Sequence, residues 1–277
     1  MQLYALQCCS LEQPNENLSQ LRQLMQPLLD QSGPKLVVLP ECALCFDGPP
    51  GQWQALAEPL GQGAMQQALS LLASEFGCIL VAGTIPIRAE DGRAYAASLV
   101  FDEQGRRIGH YNKIHLFDVD VDDATGRYRE SDTTCPGDHI EVIDTAAGRI
   151  GVAVCYDLRF PELFRALASA GADVVVVPSA FTQKTGAAHW RTLLQARALE
   201  NQCYVVAANQ AGTHGRGRQT WGHSMVVDPW GRVLDELAQQ PGLATARLDQ
   251  QRITEIRRAM PVLNHIRLPL GVRERNK

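Results

Sequence analysis

The sequence predicts an α/β protein built as a four-layer α-β-β-α sandwich. Two observations support this fold class. The chain contains an internal repeat, and each half of it reads as the order β-α-β-α-β-β. The central strands are also continuously apolar, as in 174–177, and such strands must be covered on both faces. Helices of each half can cover one face of its sheet, and the sheet of the other half can cover the second face.

The first half of the repeat, about residues 1–113, begins with an apolar strand at 4–6. A helix over 17–30 follows, with six apolar side chains on one stripe: Leu18, Leu21, Leu24, Met25, Leu28 and Leu29. The remaining elements are a strand at 36–40, a helix that presents Met65, Leu69, Leu72 and Phe76, and strands at 78–82 and 98–102.

The second half, about residues 150–236, repeats these elements in the same order. Its strands are predicted at 150–154, 174–178, 203–207 and 224–228, and its helices at 161–170 and around Trp190 to Ala198. The segment 249–264 has an Asp249 N-cap and an apolar stripe, so a helix is expected outside the repeat. This helix and the tail, about 249–277, are available to pack on a partner subunit. We expect one domain over residues 1–277.

Composition and charge exclude several classes of protein. The chain has 277 residues, 45% hydrophobic and 20% charged, with a net charge of −4 and a pI near 6.0. No cluster of Lys and Arg resembles a nucleic-acid-binding stripe. No basic leader and no apolar run of the ~20 residues needed to span a bilayer is found. A cytoplasmic protein without nucleic-acid or membrane partners is therefore expected.

The eight cysteines are expected to be reduced thiols, because no secretory leader accompanies them. Cys42 and Cys45 have CxxC spacing, but no second pair completes a zinc site. A redox pair is also disfavoured, because that motif typically opens a helix in a smaller βαβ protein. The sequence gives no sign of a metal or an organic cofactor.

Cys155 lies where the apolar strand 150–154 ends and shortly before a helix that begins at Pro161. A thiol at this junction is accessible from the sheet edge, and the positive end of the helix dipole would favour its thiolate form. Glu41 follows the strand 36–40, and Lys113 follows the last strand of the first half. Functional groups of α/β sheets gather beyond strand ends, so these three side chains are expected to converge.

A carboxylate, an ammonium and a thiol together fit amide hydrolysis. Glu41 can take the thiol proton and return it to a leaving amine, and Lys113 with the backbone N–H of Tyr156 can stabilise an oxyanion. Other interpretations stay open for each residue alone. Cys155 is equally suited to a buried structural thiol, and Glu41 and Lys113 to a solvated surface.

Other titratable residues near Cys155 offer competing assignments. His115 is expected to be a hydrogen-bonded structural histidine, although it also suggests a protease-like Cys-His pair. Asp157 and Glu162 are competing carboxylates, but the position of Glu162 in the first turn of a helix already explains it.

Three segments carry a resemblance to a known family. Pro40-Glu41, Asn112-Lys113-Ile-His and Gly151-Val-Ala-Val-Cys155-Tyr-Asp-Leu-Arg-Phe-Pro-Glu resemble the signatures of the nitrilase superfamily of carbon-nitrogen hydrolases, in the same order. The resemblance extends over nearly the whole chain. It implies the sandwich fold, no cofactor, and self-association as a homodimer or a higher oligomer.

The resemblance also implies roles for four residues. Glu41 would be the general base, Lys113 the cation that stabilises the oxyanion, and Cys155 the nucleophile that forms a thioester. Glu130, in Arg129-Glu-Ser-Asp, falls where a second, supporting glutamate is expected in the family.

The second half resembles one branch of the superfamily, the deaminated-glutathione amidases. The matching segments include Ala188-His-Trp190 and Trp221-Gly-His-Ser-Met-Val-Val-Asp-Pro-Trp-Gly231. The implied reaction cleaves deaminated glutathione to 2-oxoglutarate and Cys-Gly. The alternatives are an omega-amidase that acts on 2-oxoglutaramate, a general aliphatic amidase, or a catalytically silent binding scaffold.

The keto-acid end of such a substrate needs cationic donors, and arginine is suited to bidentate binding of a carboxylate. The candidates are Arg159, Arg129 and Arg191, and a salt bridge to Glu162 or Asp157 is the alternative role of Arg159. Tyr156, Phe181 and Thr182 are expected to line the substrate pocket. The glycine-rich loop 213–219 is expected to be mobile and to lie away from the three catalytic candidates.

Overall fold

Two β-sheets pack face to face at the centre of the structure, and helices cover the outer face of each. The computed structural model describes residues 1–123, 125–145 and 148–268, so the last part of the predicted tail lies outside the described residues. The arrangement confirms the predicted four-layer α-β-β-α sandwich.

The strands of the described residues are, in chain order, β1 Gln2–Gln7, β2 Lys35–Val38, β3 Ile79–Val81, β4 Ile85–Arg88, β5 Ala94–Phe101, β6 Arg107–Asn112, β7 Asp118–Asp120, β8 Arg127–Arg129, β9 Thr134–Cys135, β10 Glu141–Thr145, β11 Gly148–Val152, β12 Val174–Ser179, β13 Tyr204–Asn209, β14 Ala211–Thr213, β15 Gln219–Trp221, β16 Met225–Val227, β17 Val233–Glu236 and β18 Gly242–Arg247. The α-helices are α1 Pro14–Met25, α2 Gln52–Ala55, α3 Ala64–Phe76, α4 Pro161–Ser169, α5 Gln183–Asn201 and α6 Gln250–Ala259. Short 3₁₀ helices span Gln26–Leu28, Glu130–Asp132, Cys155–Arg159 and Val262–His265.

The two sheets have related strand orders. The first runs β18-β1-β2-β3-β5-β4, with β6 and β9 also paired to β5, and the second runs β10-β11-β12-β13-β16-β17. In each sheet three neighbouring strands are parallel, β1-β2-β3 in the first and β11-β12-β13 in the second. The strands after them are antiparallel. This correspondence agrees with the internal repeat.

Side chains of the first sheet alternate between two cores. Leu3, Ala5, Leu36 and Val38 point into the core shared with the second sheet. Their neighbours in sequence point to the opposite face, where α1 and α3 cover them: Tyr4, Leu6, Val37 and Leu39. A strand that is buried on both faces has no polar alternation, which is why the sequence shows only continuous apolar runs.

Helices α4 and α5 cover the outer face of the second sheet. Their buried side chains include Leu163, Phe164, Leu167, Trp190 and Leu194. Thr182 caps α5 by accepting a hydrogen bond from the N–H of Thr185, so this helix starts well before the apolar residues that predicted it. Asp249 caps α6 in the same way through the N–H of Arg252, as predicted.

Several predicted boundaries were wrong. Helix α1 begins at Pro14, because proline is well suited to the first helical position. It ends at Met25, because Pro27 cannot continue the α-helical hydrogen bonds, and a 3₁₀ turn replaces the predicted end at residue 30. The strand before Cys155 ends at Val152, two residues earlier than predicted.

One strand pairing was not predicted at all. Strand β18, beyond the predicted end of the repeat at residue 236, pairs antiparallel with β1 at the edge of the first sheet. Strand β10 occupies the equivalent edge of the second sheet, antiparallel to β11. Strand β18, which follows the repeat, therefore completes the sheet of the first half. Among the residues described, no helix is both long and apolar enough to cross a membrane.

Candidate active site

The structure brings Glu41, Lys113 and Cys155 together at the ends of β2, β6 and β11. The Lys113 Nζ lies 2.8 Å from Glu41 Oε1, and the side chains of Glu41, Lys113 and Cys155 line the same cavity. All three side chains are buried, with Cys155 8% and Lys113 1% exposed. The alternatives of a solvated Glu41 and a surface Lys113 are therefore wrong.

Glu41 is fixed through its own backbone and that of its neighbours. The N–H of Leu39 donates to the carbonyl of Val81, and the N–H of Cys42 donates to the hydroxyl of Thr84 at 2.9 Å. The side chain of Gln210, from the second sheet, donates to the Glu41 carbonyl at 3.0 Å. Both halves of the chain therefore hold the position of this carboxylate.

Gly83 allows the segment before Glu41 to approach β3 closely. It has a φ of +63°, and a Cβ at this position would lie 1.9 Å from the Pro40 carbonyl oxygen. We expect Gly83→Ala to lower the free energy of unfolding by about 2–4 kcal/mol and to reduce amidase activity, because Glu41 must shift. Urea unfolding and steady-state kinetics measure both effects.

Gly77 provides the matched control for Gly83. It has a φ of +53° at the end of α3, but no atom lies within 4 Å of its added Cβ. Gly77→Ala is expected to cost only about 1–2 kcal/mol of backbone strain and to leave activity unchanged. Equal losses of activity in the two variants would contradict the role assigned to Gly83.

Lys113 lies between two carboxylates. Its Nζ contacts Glu130 Oε2 at 2.8 Å as well as Glu41, and Glu130 Oε2 also accepts the N–H of Phe117 at 2.7 Å. Burial opposes the charge of the ammonium, but Glu130 and Glu41 outweigh it and hold the pKa of Lys113 well above its ordinary value. Burial and the charge of Glu41 raise the pKa of Glu130, against the effect of Lys113.

Cys155 is the first residue of the 3₁₀ helix Cys155–Arg159 and has a left-handed φ of +48°. Burial and the charge of Glu41 raise the pKa of this thiol well above its ordinary value, while Lys113 and a hydrogen bond from the N–H of Ala180 act in the other direction. The structure therefore does not place Cys155 at the N-terminus of α4, where a helix dipole would favour its thiolate. The 3₁₀ turn separates Cys155 from α4, and a protonated thiol beside a carboxylate needs a base to react.

Asp157 holds the turn that presents Cys155. This fully buried carboxylate accepts hydrogen bonds from Tyr111 Oη at 2.7 Å, from the N–H of Val154 at 2.8 Å and from the N–H of His115 at 3.0 Å. The His115 Nδ1 lies 2.7 Å from the same group, and its ring stacks on Phe160. His115 is therefore a structural histidine, as expected. Glu162 is exposed in the first turn of α4.

Glu41, Lys113 and Cys155 line a cavity of about 370 Å³. Tyr156, Phe181 and Thr182 line it, as predicted, and so do Arg159 and Glu130. Within the described residues, Arg159 forms no ion pair with Glu162 or Asp157. Its guanidinium lies 5.9 and 5.5 Å from the ring centres of Tyr156 and Phe181 and 3.2 Å from His189 Nδ1.

The other two candidate arginines differ from Arg159. Arg129 lines the cavity, but its guanidinium is bound to Asp120 and to the carbonyls of Val119 and Tyr128. Arg191 is not among the residues that line the cavity, and it forms an ion pair with Glu236. The suggestion that Arg191 contacts the substrate in this cavity was therefore wrong.

Cys42 and Cys45 both line the same cavity. All eight cysteines lie in the described part of the chain and are free thiols, as expected. Burial raises the pKa of Cys42 well above its ordinary value and that of Cys45 to about 12. Both thiols are therefore protonated near neutral pH in the free protein.

The model of one protein family, described as carbon-nitrogen hydrolase, matches residues 4–258. The chain belongs to this family. It is a hydrolase that acts on amide C–N bonds, as the sequence motifs predicted. The nitrilase-superfamily resemblance is thereby confirmed.

Curated relatives of the hydrolase are named after two related reactions. A deaminated glutathione amidase from Yersinia enterocolitica is 45% identical over 264 residues, which cover 95% of this chain and 91% of the relative. The omega-amidase NIT2-A from Xenopus laevis is 38% identical over 250 residues, which cover 90% and 88% of the two chains. Both branches suggested by the sequence are thus represented among its relatives.

Solved structures agree with this membership. The NitFhit protein of C. elegans superposes with a TM-score of 0.88 and 34% identity, and the match covers 96% of this chain but 65% of the longer NitFhit chain. An amidase mutant from Nesterenkonia sp. AN1 is 28% identical with a TM-score of 0.78, and the match covers 96% and 100% of the two chains. In that structure acrylamide has added to the active site cysteine.

Sequence reasoning missed one wall of the cavity of this hydrolase. Phe46, Trp53 and Arg218 line it from loops that follow β2 and β14 and from α2. Arg218 belongs to the glycine-rich loop 213–219, which was expected not to touch the three catalytic candidates and was not assigned to the cavity that they line. The arginine itself was a usable signal, because a cation in a glycine-rich loop is suited to anion binding.

Proposed function

We propose that the hydrolase cleaves its amide substrate through a thioester on Cys155, with Glu41 as general base and Lys113 as the cation that stabilises the oxyanion. The observation that carries this proposal is that Glu41, Lys113 and Cys155 line one cavity, with the Glu41 carboxylate 2.8 Å from the Lys113 ammonium. Glu130 supports the site by holding Lys113 through two contacts of 2.8 and 3.0 Å.

Acylation begins when Glu41 takes the thiol proton and the Cys155 sulfur attacks the amide carbon. The carbonyl oxygen gains negative charge, which the Lys113 ammonium and the N–H of Tyr156 stabilise. Tyr156 is the second residue of the 3₁₀ helix, where N–H groups have no partner inside the helix. The C–N bond then breaks, and the protonated Glu41 gives its proton to the leaving amine.

In deacylation, water is the nucleophile and the Cys155 sulfur is the leaving group. Glu41, again a carboxylate, takes a proton from water while the water oxygen attacks the thioester carbon. The same donors stabilise the second oxyanion, the C–S bond breaks, and the sulfur recovers the proton from Glu41. The products are a carboxylic acid, an amine and the starting thiol.

We propose deaminated glutathione as the substrate, which gives 2-oxoglutarate and Cys-Gly. The names of the relatives and a cavity of about 370 Å³ support a substrate larger than 2-oxoglutaramate. Arg159 is the favoured partner of the keto-acid carboxylate, since Arg129 is already bound to Asp120 and to backbone carbonyls. Phe181 and Thr182 would border the acyl group beside it.

A comparison of two substrates tests this proposal. We expect kcat/KM for deaminated glutathione to exceed that for 2-oxoglutaramate by about tenfold or more, because only the larger amide has a Cys-Gly portion to contact the outer cavity. Steady-state assays of both amides with the same enzyme preparation measure the ratio. A tenfold preference for 2-oxoglutaramate would instead identify an omega-amidase.

We further propose that the chain forms one catalytic domain that acts as a cytoplasmic homo-oligomer in metabolite repair. The side chains of Ile266 and Leu268, beyond α6, are 44% and 73% exposed, which suits a contact between subunits. Helix α6 itself packs on its own chain through Ile253 and Ile256.

A further inference from the structure

Arg218 lines the cavity and, like Arg159, has a guanidinium without an anionic partner among the described residues. It lies 4.7 Å from the ring centre of Phe46 and 5.0 Å from that of Tyr128. Among the residues that the structure describes, it forms no ion pair, and its buried Nε has no hydrogen-bond partner. Cation–π contacts hold the group in place without using its N–H donors.

The loop that carries Arg218 is fixed to the first half of the chain. Asp47 Oδ2 accepts the backbone N–H of Arg218 at 3.2 Å and that of Arg216 at 2.7 Å. His214, on the same loop, packs edge-on against Phe46 with ring centres 4.5 Å apart. These contacts position Arg218 at the cavity that Cys155 also lines.

A row of aromatic rings connects Arg159 with Arg218. Tyr156, which contacts Arg159, is followed by Phe117 and Tyr128 at centroid distances of 5.1 and 5.0 Å, and Tyr128 contacts Arg218. Two arginines that line one cavity and are separated by aromatic rings suit a substrate with a carboxylate at each end.

We propose that Arg218 binds the C-terminal carboxylate of the Cys-Gly portion of the substrate and thereby selects deaminated glutathione over smaller amides. The inference rests on the proposed function and assigns a specificity-determining residue to it. Arg159 and Arg218 would each take one of the two terminal carboxylates, in the bidentate geometry that suits a guanidinium.

Two further polar atoms support a polar ligand in this cavity. Trp53 Nε1 and Gln54 Oε1 are buried and have no hydrogen-bond partner in the described part of the chain, and both residues line the cavity. Buried polar groups normally have partners, so a donor and an acceptor without them fit the amide groups of a bound peptide.

The test measures kcat/KM of wild type and Arg218→Gln on three amides: deaminated glutathione, its C-terminal carboxamide, and 2-oxoglutaramate. We expect Arg218→Gln to lose about 10- to 100-fold on deaminated glutathione, mainly through KM, since one charged hydrogen-bonded contact is removed. The kcat/KM of wild type should be lower on the carboxamide than on deaminated glutathione by a similar factor. The kcat/KM of Arg218→Gln should be about the same on these two amides. Hydrolysis of 2-oxoglutaramate should be unchanged.

Arg216→Gln is the matched control, because this exposed arginine lies on the same loop and the substitution makes the same change in charge. It should behave as wild type on all three amides. Equal losses of Arg218→Gln on all three would show a structural role and overturn the inference, as would a wild type that does not distinguish acid from carboxamide. A wild type that hydrolyses 2-oxoglutaramate but not deaminated glutathione would overturn the proposed substrate itself.

Discussion

Replacing Cys155 by alanine is expected to lower kcat/KM for amide hydrolysis by at least about 10,000-fold, because it removes the thiol that forms the proposed thioester. Intact-mass measurement after rapid mixing with substrate should detect an acyl adduct in wild type and none in the variant. Cys9→Ala is the control, since this half-buried thiol contacts Thr213 and His214, outside the proposed catalytic groups. An adduct in Cys155→Ala would identify another nucleophile, and a wild type with neither adduct nor turnover would support a catalytically silent scaffold.

The same assay separates the Glu41 mechanism from a Cys-His pair. Glu41→Gln should also abolish the adduct, because the raised pKa of the Cys155 thiol leaves it protonated without a base. His115→Asn should retain acylation, since asparagine can still donate a hydrogen bond to Asp157. His189→Ala should retain it as well. The reverse pattern, with acylation lost in the histidine variants and kept in Glu41→Gln, would overturn the assignment of the base.

Replacing Lys113 by methionine is expected to affect both stability and catalysis. Removal of the cation leaves two buried carboxylates without a counter-ion, which costs about 3–5 kcal/mol of unfolding free energy. Loss of an oxyanion donor should also lower kcat by about 100- to 1000-fold. Urea unfolding and single-turnover assays measure the two effects separately.

The stability loss in Lys113→Met should depend on pH. Burial already raises the pKa of Glu130, and loss of the neighbouring ammonium removes the main effect that lowers it. A carboxyl group with a folded pKa above its unfolded value, ~4.3, stabilises the fold at low pH and loses that contribution as the pH rises. The variant should therefore be closer to wild type in stability at pH 5 than at pH 8.

A second substitution controls for this charge argument. Adding Glu130→Gln to Lys113→Met removes one buried charge, so the double variant should recover part of the stability but none of the activity. A double variant as unstable as the single one would mean that Lys113 stabilises the fold mainly through packing of its side chain. An active single variant would contradict the role of Lys113 as the oxyanion donor.

Most of the secondary structure could be predicted from the sequence because its signals are local. Apolar runs marked the central strands, Asp249 marked the start of α6, and Pro161 marked the start of α4. The repeat then indicated that two such sheets cover each other. Errors occurred where a short-range feature competes with periodicity, as at Pro27, which ends α1.

The sequence by itself determined the family, the four-layer architecture and the three residues of the candidate active site, because these follow from residue types at fixed positions along the chain. Tertiary structure alone decided the pairing of β18 with β1, the hydrogen bond between His115 and Asp157, and the position of Arg218 in the cavity. It also decided the direction in which the pKa of the Cys155 thiol is shifted, since that shift depends on burial and on the charge of Glu41. Each of these depends on groups that the fold brings together from distant parts of the chain or on the burial that the fold creates.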